Sequence, residues 1–236
     1  MPETKLNEEK RIEYFHSTPP LTVEQAKELI HEKMHLIDEE FKNGFDLVVK
    51  NPKSVTFFGS ARFSEGNEYY EKARQLASKI VKETGYAIVS GGGPGIMEAA
   101  NRGAKEADGV SVGYNIKLPR EQMINPWITD TYEFHYFFVR KVMLTYSAET
   151  YIYFPGGFGT MDELFEILTL VETKKIPHVP IIMFGKEYWN PIIDLFRHVF
   201  LEKFETITNE DFNYFVVTDD MDEVVRIIKE APLRKE

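Results

Sequence analysis

From residue 54 almost to the end of the chain, short apolar runs alternate with segments in which apolar residues recur every three or four positions. Such runs are typical of parallel strands buried on both faces, and such segments are typical of helices that bury one face. The predicted strands are 55–58, 86–89, 110–114, 132–135, 151–154, 179–184 and 214–217. The predicted helices are 67–84, 95–107, 137–148, 161–174, 188–200 and 220–230. This alternation predicts an α/β fold with a doubly wound, mainly parallel sheet flanked by helices, a Rossmann-like architecture.

The first 50 residues follow a different pattern. A polar arm of about 20 residues ends at Pro19 and Pro20, and Thr22 and Gln25 then have the spacing of a capping box. Apolar residues recur behind them at helical spacing, at Val23, Ala26, Ile30, Met34, Ile37, Phe41, Phe45 and Val48. We predict a helix from 23 to about 43, packed on the main domain or on a second subunit. The chain is thus predicted to comprise an N-terminal arm and helix, 1–50, and a single Rossmann-like domain, 51–236.

Composition narrows the class of protein. The chain has 236 residues, 43% of them hydrophobic and 28% charged, which suits an ordinary globular protein. Its 28 basic and 38 acidic side chains give a net charge of −10, which argues against a nucleic-acid partner. No run approaches the ~18 apolar residues of a membrane span, and the polar N-terminus lacks an apolar signal core. We therefore expect no membrane association, no export and a cytoplasmic location. The absence of cysteine excludes disulfides and cysteine nucleophiles.

Three loops that follow predicted strands carry the candidate chemistry: 59–62 (Gly-Ser-Ala-Arg), 90–98 (Ser-Gly-Gly-Gly-Pro-Gly-Ile-Met-Glu) and 155–163 (Pro-Gly-Gly-Phe-Gly-Thr-Met-Asp-Glu). Each joins a strand to a helix, at the edge of the sheet where ligands bind in such folds. Glycine lets the backbone approach a ligand, and the N-terminus of the following helix favours an anion. The loops therefore predict a phosphate site, with tight turns alone as the alternative.

The spacing of the glycines limits the phosphate ligand. A dinucleotide site requires Gly-x-Gly-x-x-Gly. The position of the third glycine is occupied by Ile96 in the second loop and by Asp162 in the third loop. Neither loop is followed by the Gly-Lys-Ser/Thr of a triphosphate-binding loop. The pattern favours a mononucleotide or a sugar phosphate.

The second and third loops, continued to Ala104 and Glu163, resemble the two signature motifs of the Lonely Guy (LOG) family, long labelled "possible lysine decarboxylase". Arg140-Lys141 followed by Met143 matches the segment between those motifs, and Gly59-Ser-Ala-Arg-Phe with Glu121-Gln-x-x-Asn-Pro resembles its longer bacterial branch. The resemblance covers roughly 50–200. It implies a nucleoside 5′-monophosphate phosphoribohydrolase that cleaves AMP or cytokinin riboside monophosphates to free base and ribose 5-phosphate without a cofactor. It also implies a homodimer or higher homo-oligomer with the site near the interface.

The resemblance and the chemistry together select candidate site residues. Cleavage of an N-glycosidic bond builds positive charge on the ribose, which a carboxylate can stabilise. Glu163 is the candidate catalytic carboxylate and Arg140 the candidate catalytic cation. The candidate substrate-binding residues are Ser60, Gly93, Glu98, Lys141, Gly156, Gly157, Gly159 and Thr160. Alternatives remain open: Glu163 could complete a capping box with Thr160, Glu98 could only favour the start of its helix, and Arg140 and Lys141 could be solvated side chains.

The predicted function is hydrolysis of the N-glycosidic bond of a purine nucleoside 5′-monophosphate, AMP first, by the domain 51–236. The alternative is a non-catalytic nucleotide-binding sensor or carrier. We predict no metal site, because His31 and His35 have ligand spacing but no third ligand with a clear claim. Lysine decarboxylation would require pyridoxal phosphate on a lysine such as Lys141, and nothing else in the sequence supports it.

Overall fold

The computed structural model describes residues 22–117 and 124–234. The strands are β1 Ser54–Phe58, β2 Ala87–Ser90, β3 Ser111–Ile116, β4 Asp130–Phe134, β5 Thr150–Tyr153, β6 Ile181–Phe184 and β7 Phe215–Thr218. The helices are α1 Val23–Lys50, α2 Glu68–Thr84, α3 Ile96–Glu106, α4 Phe137–Tyr146, α5 Phe158–Glu172, α6 Lys186–Leu195 and α7 Met221–Glu230. A π-helix, Phe196–Lys203, continues α6, and a 3₁₀-helix, Asn209–Tyr214, precedes β7.

All seven strands pair in parallel, in the order β4-β3-β2-β1-β5-β6-β7. The chain moves outward from β1 to β4 and then returns to the other side of β1 at β5. The loops after β1 and β5 therefore lead away in opposite directions, which opens a crevice at the carboxyl ends of these two central strands. This arrangement confirms the predicted doubly wound α/β fold, and it places two of the three glycine-rich loops at the crevice.

One core cluster lies between the central strands and the helices on one face of the sheet. Buried side chains of β1, α2, α3 and α7 form one continuous apolar cluster that includes Phe57, Ile80 and Val225. Across adjacent strands the rings of Phe57 and Phe154 stack at 6.0 Å, and those of Phe154 and Phe184 at 4.9 Å. This packing makes the strand ends a rigid base for the loops beyond them.

Several predicted helix boundaries differ from the structure, and two of these differences bear on the site. α1 continues to Lys50, beyond the predicted end near 43. Gly44 is needed inside the helix because a Cβ there would lie 2.5 Å from Cγ and Sδ of Met143. α5 begins at Phe158 instead of 161, which moves Thr160 and Glu163 from the start of the helix into its first two turns.

Contacts divide the chain into two compact units, Met1–Glu39 and Glu40–Glu236. The described part of the first unit is the beginning of α1, where Thr22 and Gln25 form the predicted capping box through reciprocal bonds of 3.0 and 3.2 Å. The second unit contains the sheet and the rest of α1. The predicted polar arm, with Pro19 and Pro20, and the Glu121-Gln122 pair lie outside the described residues. Within the described ranges, no helix is long and apolar enough to cross a membrane.

Candidate active site

An open cleft of about 1070 Å³ lies at the carboxyl ends of β1 and β5. Its walls come from the loops after β1 and β5, from α4 and from the start of α6, and Gly91 of the loop after β2 also lines it. Of the predicted site residues, the cleft brings together Ser60, Arg140, Gly156, Gly157, Gly159, Thr160 and Glu163. Its volume suits a ligand of nucleotide size.

The backbone of Ser60 ties the three glycine-rich loops to one another. Its N–H donates to the carbonyl of Pro155 at 3.0 Å, and its carbonyl accepts from the N–H of Ile96 at 3.0 Å. Its hydroxyl accepts a hydrogen bond of 3.1 Å from the N–H of Arg62. The first loop is thus held against the other two, with Ser60 at the cleft.

The loop after β5 presents backbone donors to the cleft. Gly157 occupies the N-cap position of α5 without a side-chain cap, and residues 157–159 are exposed. The first N–H groups of an α-helix have no partner within the helix, so this end of α5 is suited to an anion. Tyr188, at the start of α6, donates its hydroxyl hydrogen bond to the carbonyl of Gly156 and so braces the loop from the other wall.

Glu163 lies in the second turn of α5 and is only 8% exposed. Burial raises the pKa of its carboxyl to about 7, although the charges of Arg140 and Lys141 act in the opposite direction. The capping-box alternative is wrong, because Gly157 and not Thr160 is the N-cap residue. A desolvated carboxylate that lines the same cleft as a cation is a frequent feature of catalytic sites.

Arg140 extends from α4 toward the ends of β2 and β3. Its Nε donates a hydrogen bond of 2.7 Å to the carbonyl of Tyr114. A Cβ atom at Gly91 would lie 2.2 Å from its Nη2, so the absence of a side chain at Gly91 makes room for the guanidinium. Burial lowers the pKa of Arg140 and the charge of Glu163 raises it; the group remains a cation in either case.

A buried network of amides holds the second loop. The Nδ2 of Asn125 donates to the carbonyl of Gly93 at 3.1 Å and to Oδ1 of Asn101 at 2.9 Å. The hydroxyl of Ser90 donates to the same Oδ1 at 2.6 Å. The second glycine-rich loop, which makes room for Arg140, is therefore held in place by Asn101 of α3 and by Asn125 of the segment before β4.

Three predicted substrate-binding residues do not line the cleft. Gly93 is buried in the amide network just described. Glu98 accepts a hydrogen bond of 3.0 Å from the hydroxyl of Tyr70. Lys141 forms ion pairs of 2.9 Å with Asp162 and 3.0 Å with Glu166, and these pairs raise its pKa although burial lowers it. The hydrogen bonds and ion pairs of these three residues are therefore made with other groups of the protein.

The cleft also contains residues that the sequence analysis did not select, among them Tyr69, Gly91, Glu187 and Tyr188. Glu187 and Tyr188 lie just beyond the end of β6, so the rule that ligands bind at the carboxyl ends of strands could have indicated them. No glycine-rich motif marks that loop. Among the described residues, no group of three or more His, Cys, Asp or Glu side chains could hold a metal ion.

A protein-family model with the description "Possible lysine decarboxylase" matches residues 97–228, which is more than half of the chain. The chain belongs to this family. It is the LOG family of the sequence resemblance, and the match includes Arg140 and Glu163.

Relatives of this LOG-family chain include proteins named phosphoribohydrolases. A cytokinin riboside 5′-monophosphate phosphoribohydrolase from Rhodococcoides fascians is 25% identical over 183 residues, which cover 75% of this chain and 90% of the relative. A probable enzyme of the same name from Oryza sativa is 33% identical over 116 residues, 48% of this chain and 46% of the relative.

Solved structures similar to the LOG-family chain include two proteins of another description. A molybdenum cofactor binding protein from Rippkaea orientalis has a TM-score of 0.54 at 19% identity, covering 75% of this chain and 93% of that one. The molybdenum cofactor carrier protein of Chlamydomonas reinhardtii has a TM-score of 0.55 at 20% identity, covering 76% and 98%. At these identities the likeness shows the fold alone.

Proposed function

We propose that this protein is a hydrolase that cleaves the N-glycosidic bond of purine nucleoside 5′-monophosphates, with AMP as first substrate, to free base and ribose 5-phosphate. Cytokinin riboside 5′-monophosphates are further candidate substrates, in line with the names of the relatives from Rhodococcoides fascians and Oryza sativa. The observation that carries the proposal is the buried carboxyl of Glu163, coupled to the cation of Arg140 at the wall of a cleft of nucleotide size.

In this proposal the phosphate binds at the N-terminus of α5, where the N–H groups of residues 157–160 and the Thr160 hydroxyl surround it. Uncapped helical N–H groups and the positive end of the helix dipole stabilise a dianion. The cleft runs from this end of α5 to Arg140 and Glu163, so a bound phosphate would direct the ribose toward them.

Bond cleavage builds positive charge on C1′ and the ring oxygen of the ribose as electrons move to the departing base. Ionised Glu163 stabilises that charge and positions the attacking water, and Arg140 anchors the phosphate or ribose oxygens. A carboxyl with a pKa of about 7 can also accept the proton of the attacking water near neutral pH. No step of this scheme requires a cofactor.

The deciding experiment incubates pure protein with each common nucleoside monophosphate and measures the release of free base by chromatography. Release of adenine from AMP, at a rate proportional to enzyme, supports the proposal. Tight binding of a nucleotide without turnover would instead favour the non-catalytic sensor or carrier. A Glu163→Gln preparation, purified in parallel, controls for contaminating nucleosidases.

Three further expectations belong to this proposal: a small-molecule nucleotide as the partner, at least a homodimer as the assembly, and a cytoplasmic location. The catalytic and substrate-binding residues would all lie in the domain 51–236, with 1–50 as an extension. Substrate turnover and light scattering on the full chain test the first two.

A further inference from the structure

Glu40 is a carboxylate buried inside the second compact unit, far in sequence from the cleft. It lies in the C-terminal half of α1 and is only 1% exposed. A carboxylate this deeply buried is costly unless its oxygens are hydrogen-bonded. Its partners therefore indicate what it does.

Both oxygens of Glu40 accept hydrogen bonds from the backbone at the start of α4. Oε1 accepts from the N–H of His135 at 2.5 Å, and Oε2 accepts from the N–H of Tyr136 at 3.2 Å. Tyr136 is the N-cap residue of α4, and α4 has neither a side-chain cap nor an acidic residue in its first turn. In a capping box, the acid at the third helical position accepts from the N-cap N–H; that position here is Val139, which cannot accept. Glu40 supplies the missing carboxylate from another helix.

The turn that Glu40 caps is the turn that carries Arg140. The N–H of Arg140 donates to the carbonyl of Tyr136 at 3.2 Å, which closes the first turn of α4. From there the Arg140 side chain reaches the carbonyl of Tyr114 and the space beside Gly91. The direction of this first turn therefore decides where the guanidinium lies in the cleft.

Other contacts hold residues 40–50 of α1 against β4 and α4. The Nδ2 of Asn43 donates to the Tyr132 hydroxyl at 3.3 Å, and Gly44 packs closely against Met143 of α4. The ring of Phe45 meets that of Tyr146 edge-on at 5.6 Å. Glu40 is thus held by a packed helix and is not a mobile surface carboxylate.

We propose that Glu40 is a positioning residue for the reaction: its carboxylate caps α4 and thereby holds Arg140 in its working position. The proposal rests on the proposed function for the role of Arg140, but not for the cap itself. It makes the end of α1 part of the active-site scaffold, although this helix lies outside the residues matched by the family model.

The first measurement is amide hydrogen exchange by mass spectrometry on wild type and Glu40→Gln, followed over 136–146. Gln has the size of Glu, but it can accept only one of the two hydrogen bonds and carries no charge. Loss of a cap should speed exchange in the first turn of α4 about fivefold or more, with little change in α5 or α7. Asp46→Asn is the matched control, since it removes the same charge from an exposed position of α1. Unchanged exchange in Glu40→Gln would overturn the proposal, whether or not the protein hydrolyses AMP.

The second measurement is a double-mutant cycle on kcat/KM for AMP. Glu40→Gln alone should lower kcat/KM by about tenfold or more, because a displaced catalytic group is less effective. In an Arg140→Ala background the same change should have almost no further effect, since Glu40 acts through Arg140. Full additivity would refute the positioning role and leave Glu40 as a general stabilising residue. If wild type releases no base from AMP, the proposed function fails, and the exchange experiment still decides the cap.

Discussion

At the wall of the cleft, the guanidinium of Arg140 occupies the space that a side chain at Gly91 would fill: a Cβ atom on Gly91 would lie 2.2 Å from Nη2 of Arg140. The second glycine-rich loop therefore accommodates the arginine of α4 in addition to any contact with ligand. Since the Asn125 and Asn101 amides fix this loop, and Tyr114 accepts from Arg140 Nε, the guanidinium has little freedom to move.

Gly91→Ala should displace the guanidinium of Arg140 and lower kcat/KM for AMP by about 10²-fold, the cost of misplacing a catalytic group by about 1 Å. Its effect should be much smaller when Arg140 is already Ala, because the closest clash is then gone and the remaining one, 2.8 Å from Sδ of Met97, meets the flexible end of a side chain. Steady-state assays of the two single variants and the double variant test this. Equal losses in both backgrounds would mean that Gly91 acts on the ligand or on the loop itself.

Glu163→Gln should lower kcat for AMP by about 10²-fold or more, the size expected when a preorganised electrostatic group is lost. KM should change much less, because the phosphate contacts at the start of α5 remain. Wild-type kcat/KM should rise with pH to a plateau above about 7, as the carboxyl ionises. Near-normal turnover in the variant would show that the mechanism has the wrong carboxylate and would direct attention to Glu187, which also lines the cleft.

The same substitution should stabilise the fold at alkaline pH. The pKa of Glu163 is about 7 in the folded protein and 4.5 in the reference state, so the unfolded chain ionises first and folding stability falls as pH rises between these values. That difference corresponds to at most about 3 kcal/mol. Glu163→Gln removes the penalty, and its Tm should therefore exceed that of wild type more at pH 8 than at pH 5. Thermal unfolding at the two pH values measures this, with the exposed change Glu172→Gln on the same helix as control; an equal gain at both pH values would contradict it.

AMP should raise the Tm of the protein, because it binds only the folded state, and NAD should do so weakly or not at all. A crystal grown in sulfate should show the anion at the N–H groups of residues 157–160. Differential scanning fluorimetry with both nucleotides makes the comparison. A strong shift with NAD and none with AMP would rule out the mononucleotide site.

The protein should be at least a dimer at micromolar concentration. Phe137 and Phe138 of α4 are 55% and 50% exposed, and Phe158 at the cleft is 96% exposed. Large aromatic side chains with this degree of exposure are typical of a surface that another protein covers. Multi-angle light scattering gives the mass directly, and Phe138→Glu should lower it to that of a monomer. A monomeric wild type would refute the expectation.

Local sequence patterns predicted much of the fold and of the candidate site. Strand–helix alternation indicated the parallel sheet, since apolar periodicity follows from which faces each element buries. The glycine-rich loops indicated where the cleft opens, because parallel strands bring their carboxyl ends to one edge of the sheet. The family motifs indicated Arg140 and Glu163 as candidate catalytic residues.

Other features depend on contacts that no local pattern contains. The start of α5 at Phe158 could not be read from its cap, because Gly157 has no capping side chain and Thr160 with Glu163 imitates a capping box. Lys141 of α4 forms ion pairs with Asp162 and Glu166, which lie about 20 positions later on a different helix, α5. Glu40 meets the start of α4 across 95 positions of sequence. Periodicity and motif spacing report the chemistry of neighbours along the chain, whereas burial, pKa and hydrogen-bond partners depend on which distant segments the fold brings together.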